Sequence, residues 1–241
     1  MECFIALRDN INEERGELTL VGDEAKHAVR SLRMKEGELL IATDLQGVCY
    51  RSEITSISKH SKDDWEARCS IIEKIPNNNE SPKHLHLVIG ILQQTSKFEE
   101  VLEKCTELGV KEFTPLISSR SEKEDFNIER CERILRSATK QVSRSKNPVL
   151  NEKGSLEDIL SRLRQNGYQI VIFHEQPDIQ DPFTTSSISL IPTALLIGPE
   201  GGFTNEEITL AKSFGAKVLS LGSRRLRAET AAIAASAIAL A

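Results

Sequence analysis

"LLIGPEGGFTNEEI", residues 195–208, is the stretch on which the reading of this chain turns. An apolar run ends at Gly198, Pro199 stiffens the exit, and Gly201 and Gly202 allow backbone angles or close approaches that side chains forbid. Thr204 and Glu207 form the T-x-x-E of a capping box, so a helix starts at once. A strand, a glycine loop and a helix start can surround a ligand with backbone N–H groups. The loop has neither the GK[ST] of a P-loop nor GxGxxG, and Glu200 would repel a pyrophosphate. A ligand with hydroxyls, an amine or a positive centre is the better match.

A second turn follows in "LSLGSRRLRAETAAIAA", residues 219–235. It again leaves an apolar run at a glycine, then carries Arg224, Arg225 and Arg227 into a helix opened by Glu229 and Thr230. Three arginines in four positions beside a ligand loop read as an anion or nucleobase site. The alanines of the helix suit close packing, although helix propensity alone explains them. Glu229 equally suits a helix N-terminus, where the dipole favours a carboxylate.

The wider pattern is α/β. Strands are predicted at 84–92, 111–118, 168–175, 193–198 and 217–222, and helices at 96–109, 127–145, 204–215 and 228–241. Such alternation gives a mostly parallel sheet with helices on both faces, whose ligands sit beyond the carboxyl ends of the strands. The earlier part is β-rich, with strands at 17–22, 37–45, 48–58 and 65–75 and a helix within 23–37. "PNNNESPK", residues 76–83, lacks apolar periodicity and reads as a linker. The expected domains are therefore 1–75 and 84–241.

Composition sets bounds. The chain has 241 residues, 39% hydrophobic and 28% charged, which fits a soluble globular protein. No apolar run approaches the length of a membrane span, and the N-terminus does not resemble a signal peptide; a cytoplasmic protein without membrane contact is expected. The five cysteines are odd in number and never paired as CxxC, so buried free thiols are expected. His84 and His86 share one face of a strand without a third ligand, and no metal site is expected. With 31 basic and 36 acidic residues, a net charge of −5, only a local patch could attract nucleic acid. Arg133, Arg136, Lys140 and Arg144 recur along the 127–145 helix, opposite its apolar stripe. They read either as a solvated face or as a phosphate-contacting ridge.

Residues 197–203 and 221–231 resemble the "IGPEGG" and "LGxRILRxETA" motifs of the RsmE family of ribosomal RNA methyltransferases, of the SPOUT class. "EKCTELGVKEFTPL" (103–116), the spacing of Gln141, Arg144 and Pro148, and "HAVRSLRMKEGELL" (27–40) resemble further motifs of that family, in the same order. The resemblance spans essentially the whole chain. Two departures stand out: Arg225 replaces an apolar residue, and Gln93-Gln94 replaces a Pro-Lys pair, leaving Lys97 as a substitute.

The resemblance implies a C-terminal domain with a parallel sheet and a deep trefoil knot, and a small N-terminal PUA-like β-barrel that assists RNA binding. It implies S-adenosylmethionine as cofactor, held by Leu196, Ile197, Gly198, Pro199, Gly201, Gly202, Ser220, Leu221, Gly222, Leu226, Arg227 and Thr230. The implied reaction methylates N3 of a uridine in the 16S ribosomal RNA of the small subunit, by a homodimer. Arg224 and Arg227 are the candidates for stabilising charge on the uracil carbonyls, and Glu200 and Glu229 for orienting or accepting the proton. Arg30, Arg33 and Lys35, together with Arg133, Arg136, Lys140 and Arg144, would form the RNA track. The alternatives are a methyltransferase of the same fold acting at another RNA position, a non-catalytic RNA-binding assembly factor, and a nucleotide-dependent α/β enzyme.

Overall fold

The computed structural model describes residues 2–61, 64–174, 182–188 and 191–241. Two compact units emerge: Met1–Glu80 with Thr139–Asn147, and Ser81–Ala138 with Pro148–Ala241. No helix among the described residues is long and apolar enough to cross a membrane.

The first unit contains β1 (Cys3–Ile5), β2 (Ile11–Asn12), β3 (Glu17–Val21), α1 (Gly22–Lys26), β4 (Leu39–Thr43), β5 (Val48–Lys59) and β6 (Trp65–Pro76). They form one sheet in the order β1-β4-β5-β6-β3-β2, antiparallel except where β1 lies along β4. Alternate residues turn inward, as the two-residue period of a strand requires: Leu18 and Leu20, Leu40 and Ala42, Ala67 and Cys69. The helix expected within 23–37 is shorter. α1 passes into a π-helical turn, His27–Ser31, and Arg33, with φ of +58°, ends the helical path before Gly37.

Residues 139–147, expected in the second domain, pack with the first unit. The supposed linker is pinned there: Asn78 Nδ2 donates to Ser143 O at 2.7 Å and Asn79 Nδ2 to Val142 O at 2.9 Å. Arg144 pairs with Glu80 at 2.9 Å, their side chains 1% and 4% exposed.

The second unit contains β7 (Leu85–Gly90), α2 (Thr95–Leu108), β8 (Glu112–Ile117), most of α3 (Ile128–Gln141, whose residues from Thr139 on belong to the first unit), β9 (Val149–Leu150), β10 (Gly154–Ser155), α4 (Leu156–Gln165), β11 (Gln169–Phe173), β12 (Thr193–Ile197), α5 (Asn205–Ser213), β13 (Lys217–Leu219) and α6 (Ala228–Leu240). Residue 175, the end of the strand expected at 168–175, lies outside the described residues. The strands lie in the order β10-β8-β7-β12-β11-β13, with β9 also on β8, and every pairing is parallel. All six residues of β7 are buried, because helices cover both faces.

On one face, Leu87, Ile89, Leu195 and Ile197 pack with α2, α3 and the alanines of α6. On the other, Val88, Ala194 and Leu196 pack with α4 and α5. α4 corresponds to none of the expected elements. Yet Ser155 caps it by accepting from Asp158 N, and Leu156, Ile159, Leu160 and Leu163 follow at helical spacing.

All five cysteines are buried and free. Burial pushes the thiols of Cys3, Cys69 and Cys105 up to about 12 and those of Cys49 and Cys131 up to about 11, which suppresses the reactive thiolate.

Candidate active site

The carboxyl ends of β7, β11, β12 and β13 open into a cleft of about 670 Å³ in the second unit. Its floor is built from the loop between β12 and α5. The N–H of Gly202, at φ +66°, donates to Pro199 O at 2.8 Å, closing a tight turn. The turn presses against its surroundings: a Cβ on Gly198 would come within 3.0 Å of Gly202 C, and one on Gly90 within 2.4 Å of Pro199 N. Both contacts are with backbone: a side chain at position 90 must shift the chain, and one at position 198 would need the turn to give by a few tenths of an ångström.

The expected capping box is formed. Thr204 N donates to Glu207 Oε2 at 2.8 Å and Glu207 N to Thr204 Oγ1 at 3.2 Å. The other oxygen of Glu207 accepts from Ser119 N at 2.8 Å, which ties α5 to the turn after β8. A cap of this kind contributes about 1 kcal/mol.

The wall opposite is the loop between β13 and α6. Gly222, at φ +110°, donates its N–H to Ser220 Oγ at 3.1 Å. A Cβ added at Gly202 or Gly222 would meet nothing within 4 Å, so both bare backbones face open space at the cleft. Arg224, Arg225 and Arg227 are exposed on this loop, and Arg227 occupies the cap position of α6. Lys97, Arg120 and the three arginines make five cationic side chains on the lining, against two carboxylates, Glu200 and Glu229.

Both carboxylates are already engaged. Glu200 Oε1 accepts from Gln93 N at 3.0 Å, bridging the loops after β7 and β12. Glu229 is buried in the first turn of α6, 3.9 Å from Lys97 Nζ. The hydrogen bond from Lys97 to Glu100, at 2.8 Å, raises the ammonium above its ordinary value. Lys97 is therefore a fixed positive charge at neutral pH and not a base.

Of the residues expected to hold a cofactor, Ile197, Gly198, Pro199, Gly201, Gly202, Ser220, Leu221, Gly222, Leu226 and Arg227 line the cleft. Leu196 and Thr230 do not. Alternation along β12 sends the Leu196 side chain into the core beneath α4 and α5, and Thr230 is exposed on α6 away from the lining. All four candidate catalytic residues line it.

Arg120, Phe173, His174 and Phe203 line it too and were not singled out from sequence. Phe203 closes the 197–203 motif stretch but was given no role there, and no motif marks the other three. The signal that would have found the first three is position, since each lies at or just beyond the carboxyl end of a parallel strand.

The basic ridge is corrected. Arg133 and Arg136 are exposed on α3. Lys140 instead bonds Glu24 at 2.9 and 3.0 Å and lies 5.4 Å from the Phe4 ring centre, while Arg144 is buried against Glu80. α3 ends at Gln141 and Ser143 takes φ of +52°, so helical spacing no longer holds Arg144 on the stripe. Arg30, Arg33 and Lys35 are exposed in the first unit.

A second polar cluster surrounds the histidines at the opposite end of the sheet. Glu112 Oε1 accepts from Tyr168 at 2.7 Å and lies 2.5 Å from His84 Nε2; His86 Nε2 lies 2.7 Å from Thr114 Oγ1. No group of three or more metal-ligating side chains occurs among the described residues.

Residues 79–240 match the RNA methyltransferase domain family and residues 20–63 the RNA methyltransferase PUA domain family. The ribosomal RNA small subunit methyltransferase E of Bacillus subtilis is 31% identical over 240 residues, 95% of this chain and 91% of that protein. Its Rickettsia conorii counterpart is 31% identical over 229 residues, covering 93% and 89%. The crystal structure of the Neisseria gonorrhoeae enzyme of the same name, bound to S-adenosyl methionine, superposes with a TM-score of 0.79 at 26% identity, covering 98% of this chain and 95% of that one. A putative methyltransferase from Legionella pneumophila in complex with the same cofactor gives 0.79 at 29% identity, over 97% and 94%. The match spans both units and nearly the whole length of each relative, and the chain belongs to the RsmE family of RNA methyltransferases.

Proposed function

We propose that this chain transfers the methyl group of S-adenosylmethionine to N3 of a uridine in the 16S RNA of the small ribosomal subunit. The observation that carries the reading is the cleft itself, a cationic pocket on an acidic chain, bounded by two backbone turns. Its volume lies within the range of cofactor sites, and the bare backbones of Gly202 and Gly222 leave room against the walls. Leu221 and Leu226, with Ile197, supply apolar surface for an adenine, while Pro199, Gly201 and Ser220 supply backbone groups.

The sulfonium brings an already activated methyl group, so the protein's work is positioning and charge stabilisation. Uracil N3 must lose its proton before it can attack in line. In this reading Arg224 and Arg227, which line the cleft, balance the negative charge that then develops on the uracil carbonyls. Glu200 has one oxygen fixed by Gln93 N–H, which leaves the other to orient or accept that proton. Glu229, beside Lys97, is the alternative acceptor.

The same reading takes Arg30, Arg33, Lys35, Arg133 and Arg136 as RNA contacts, and the chain as a homodimer acting on the assembled subunit in the cytoplasm. The deep trefoil knot belongs to this reading and rests on the family alone. So do the domain limits 1–75 and 84–241, read as an RNA-holding and a methyl-transferring part.

The test is nucleoside mass spectrometry after incubating the protein and labelled cofactor with small subunits that lack the modification. Labelled 3-methyluridine is the expected product. Another labelled nucleoside would replace the substrate assignment, and absence of both label and cofactor binding would favour an RNA-binding assembly factor.

A further inference from the structure

Arg120 lies in the turn after β8, remote in sequence from both signature loops, yet it is bonded into the first of them. Its Nη1 donates to Gly201 O at 2.7 Å and reaches Phe203 O at 3.5 Å. The stem packs just as closely, since a Cβ on Gly201 would sit 3.0 Å from Arg120 Cβ. The turn that presents it is closed on itself, with Ser121 N donating to Ser118 O at 3.0 Å and Ser118 N to Ser121 Oγ at 3.0 Å. One residue before Arg120, the N–H of Ser119 binds the capping carboxylate Glu207 at 2.8 Å. The β8 turn therefore grips the β12–α5 loop twice, once through carbonyls by Arg120 and once through the cap.

Those two carbonyls belong to peptides whose N–H groups are also committed, Gly202 N to Pro199 O and Thr204 N to Glu207. With Arg120 in place, both peptides are held from both sides. We infer that Arg120 is a positioning residue: it fixes residues 201–204 in their ligand-binding shape before any ligand arrives, so that the cleft floor is pre-formed. A glycine-rich loop has the largest conformational freedom to lose on binding, and removing that freedom beforehand is how pre-organisation raises affinity. That the loop's ligand is S-adenosylmethionine rests on the proposed function; that Arg120 holds the loop does not.

Two measurements separate these claims. In the ligand-free protein, R120M keeps the stem but removes the donors. Amide exchange at residues 201–204 should then accelerate by about tenfold, the equivalent of losing one charged hydrogen bond at the weak end of its range. R120K, which keeps one charged donor, should recover part of the protection. In titrations with S-adenosylmethionine, R120M should bind about tenfold more weakly by the same reasoning, with R120K between it and the unmodified protein. Unchanged exchange in R120M, or an R120K no better than R120M, would overturn the inference. So would unchanged cofactor affinity in R120M. An unmodified chain that fails to bind the cofactor, alongside faster exchange in R120M, would leave the clamp standing and remove the methyltransferase reading instead.

Discussion

Arg144 and Glu80 form an ion pair from which water is nearly excluded, and removing either partner would strand a charge in the interior. Glu80 Oε1 also accepts from Lys146 N at 2.9 Å, so the carboxylate anchors backbone as well as guanidinium. Breaking such a pair costs about 3–5 kcal/mol. Glu80→Gln and Arg144→Met should each destabilise the protein by roughly that amount in urea unfolding, and the double variant by less than the two together. Additive losses would show that the two charges do not depend on each other. His86 offers a different kind of residue-level test. Burial lowers its imidazole to about 4 from 6.5, and hydrogen bonds, first from His84, lower Glu112 to about 2 from 4.5. In both windows the unfolded chain binds more protons, so stability rises with pH. The His86 contribution is complete above pH 6.5 and lost as pH falls towards 4, a change of about 3 kcal/mol at most. The Glu112 contribution is lost below that, between pH 4.5 and 2. His86→Asn should flatten the stability profile between pH 6.5 and 4; an unaltered slope there would assign the titration to other groups.

At the scale of elements, the loop between β12 and α5 is shaped by what it leans on. Gly90 closes β7 directly beneath Pro199, so a methyl group at position 90 must push the loop outward. Gly90→Ala should weaken S-adenosylmethionine binding by about 5- to 150-fold, because a backbone clash of this kind propagates into the ligand site at a cost of about 1–3 kcal/mol. Calorimetric titration would show it, and unaltered binding would mean that the loop does not carry the cofactor. Much of this was legible beforehand. The glycines, the Thr204–Glu207 cap and the strand–helix alternation are local signals, and the structure contains each of them. Contacts between distant segments were not legible: nothing near Gly90 or Arg120 in sequence announces residues 199–203. Local signal was also misread where an element stopped early. The basic stripe at 133, 136, 140 and 144 assumes a helix that ends three residues too soon for its last member. α4 carries a local signal that no expected element used: Ser155 caps it through Asp158 N, and Leu156, Ile159, Leu160 and Leu163 recur at helical spacing.

For the molecule as a whole, charge must be considered by location. A net charge of −5 repels RNA at long range, so association depends on where the positive side chains gather. The cleft gathers Arg224, Arg225, Arg227, Lys97 and Arg120. If RNA backbone reaches it, binding releases counterions, and the logarithm of affinity should fall linearly with that of salt concentration. Each phosphate neutralised on single-stranded RNA adds about 0.7 to the slope. Arg224→Ala and Arg227→Ala should therefore each reduce the slope by somewhat under one if they touch phosphate. If instead they face the uracil carbonyls, as proposed here, each should leave the slope nearly intact and depress the single-turnover methylation rate, by about 10²–10³-fold for a lost charge-stabilising donor. Arg133→Ala and Arg136→Ala, on the exposed part of α3, should do the reverse, lowering the slope while sparing the rate at saturating RNA. Measuring slope and rate on the same four variants thus sorts the arginines by chemistry. An affinity that ignores salt altogether would remove RNA backbone contact from the account of this protein.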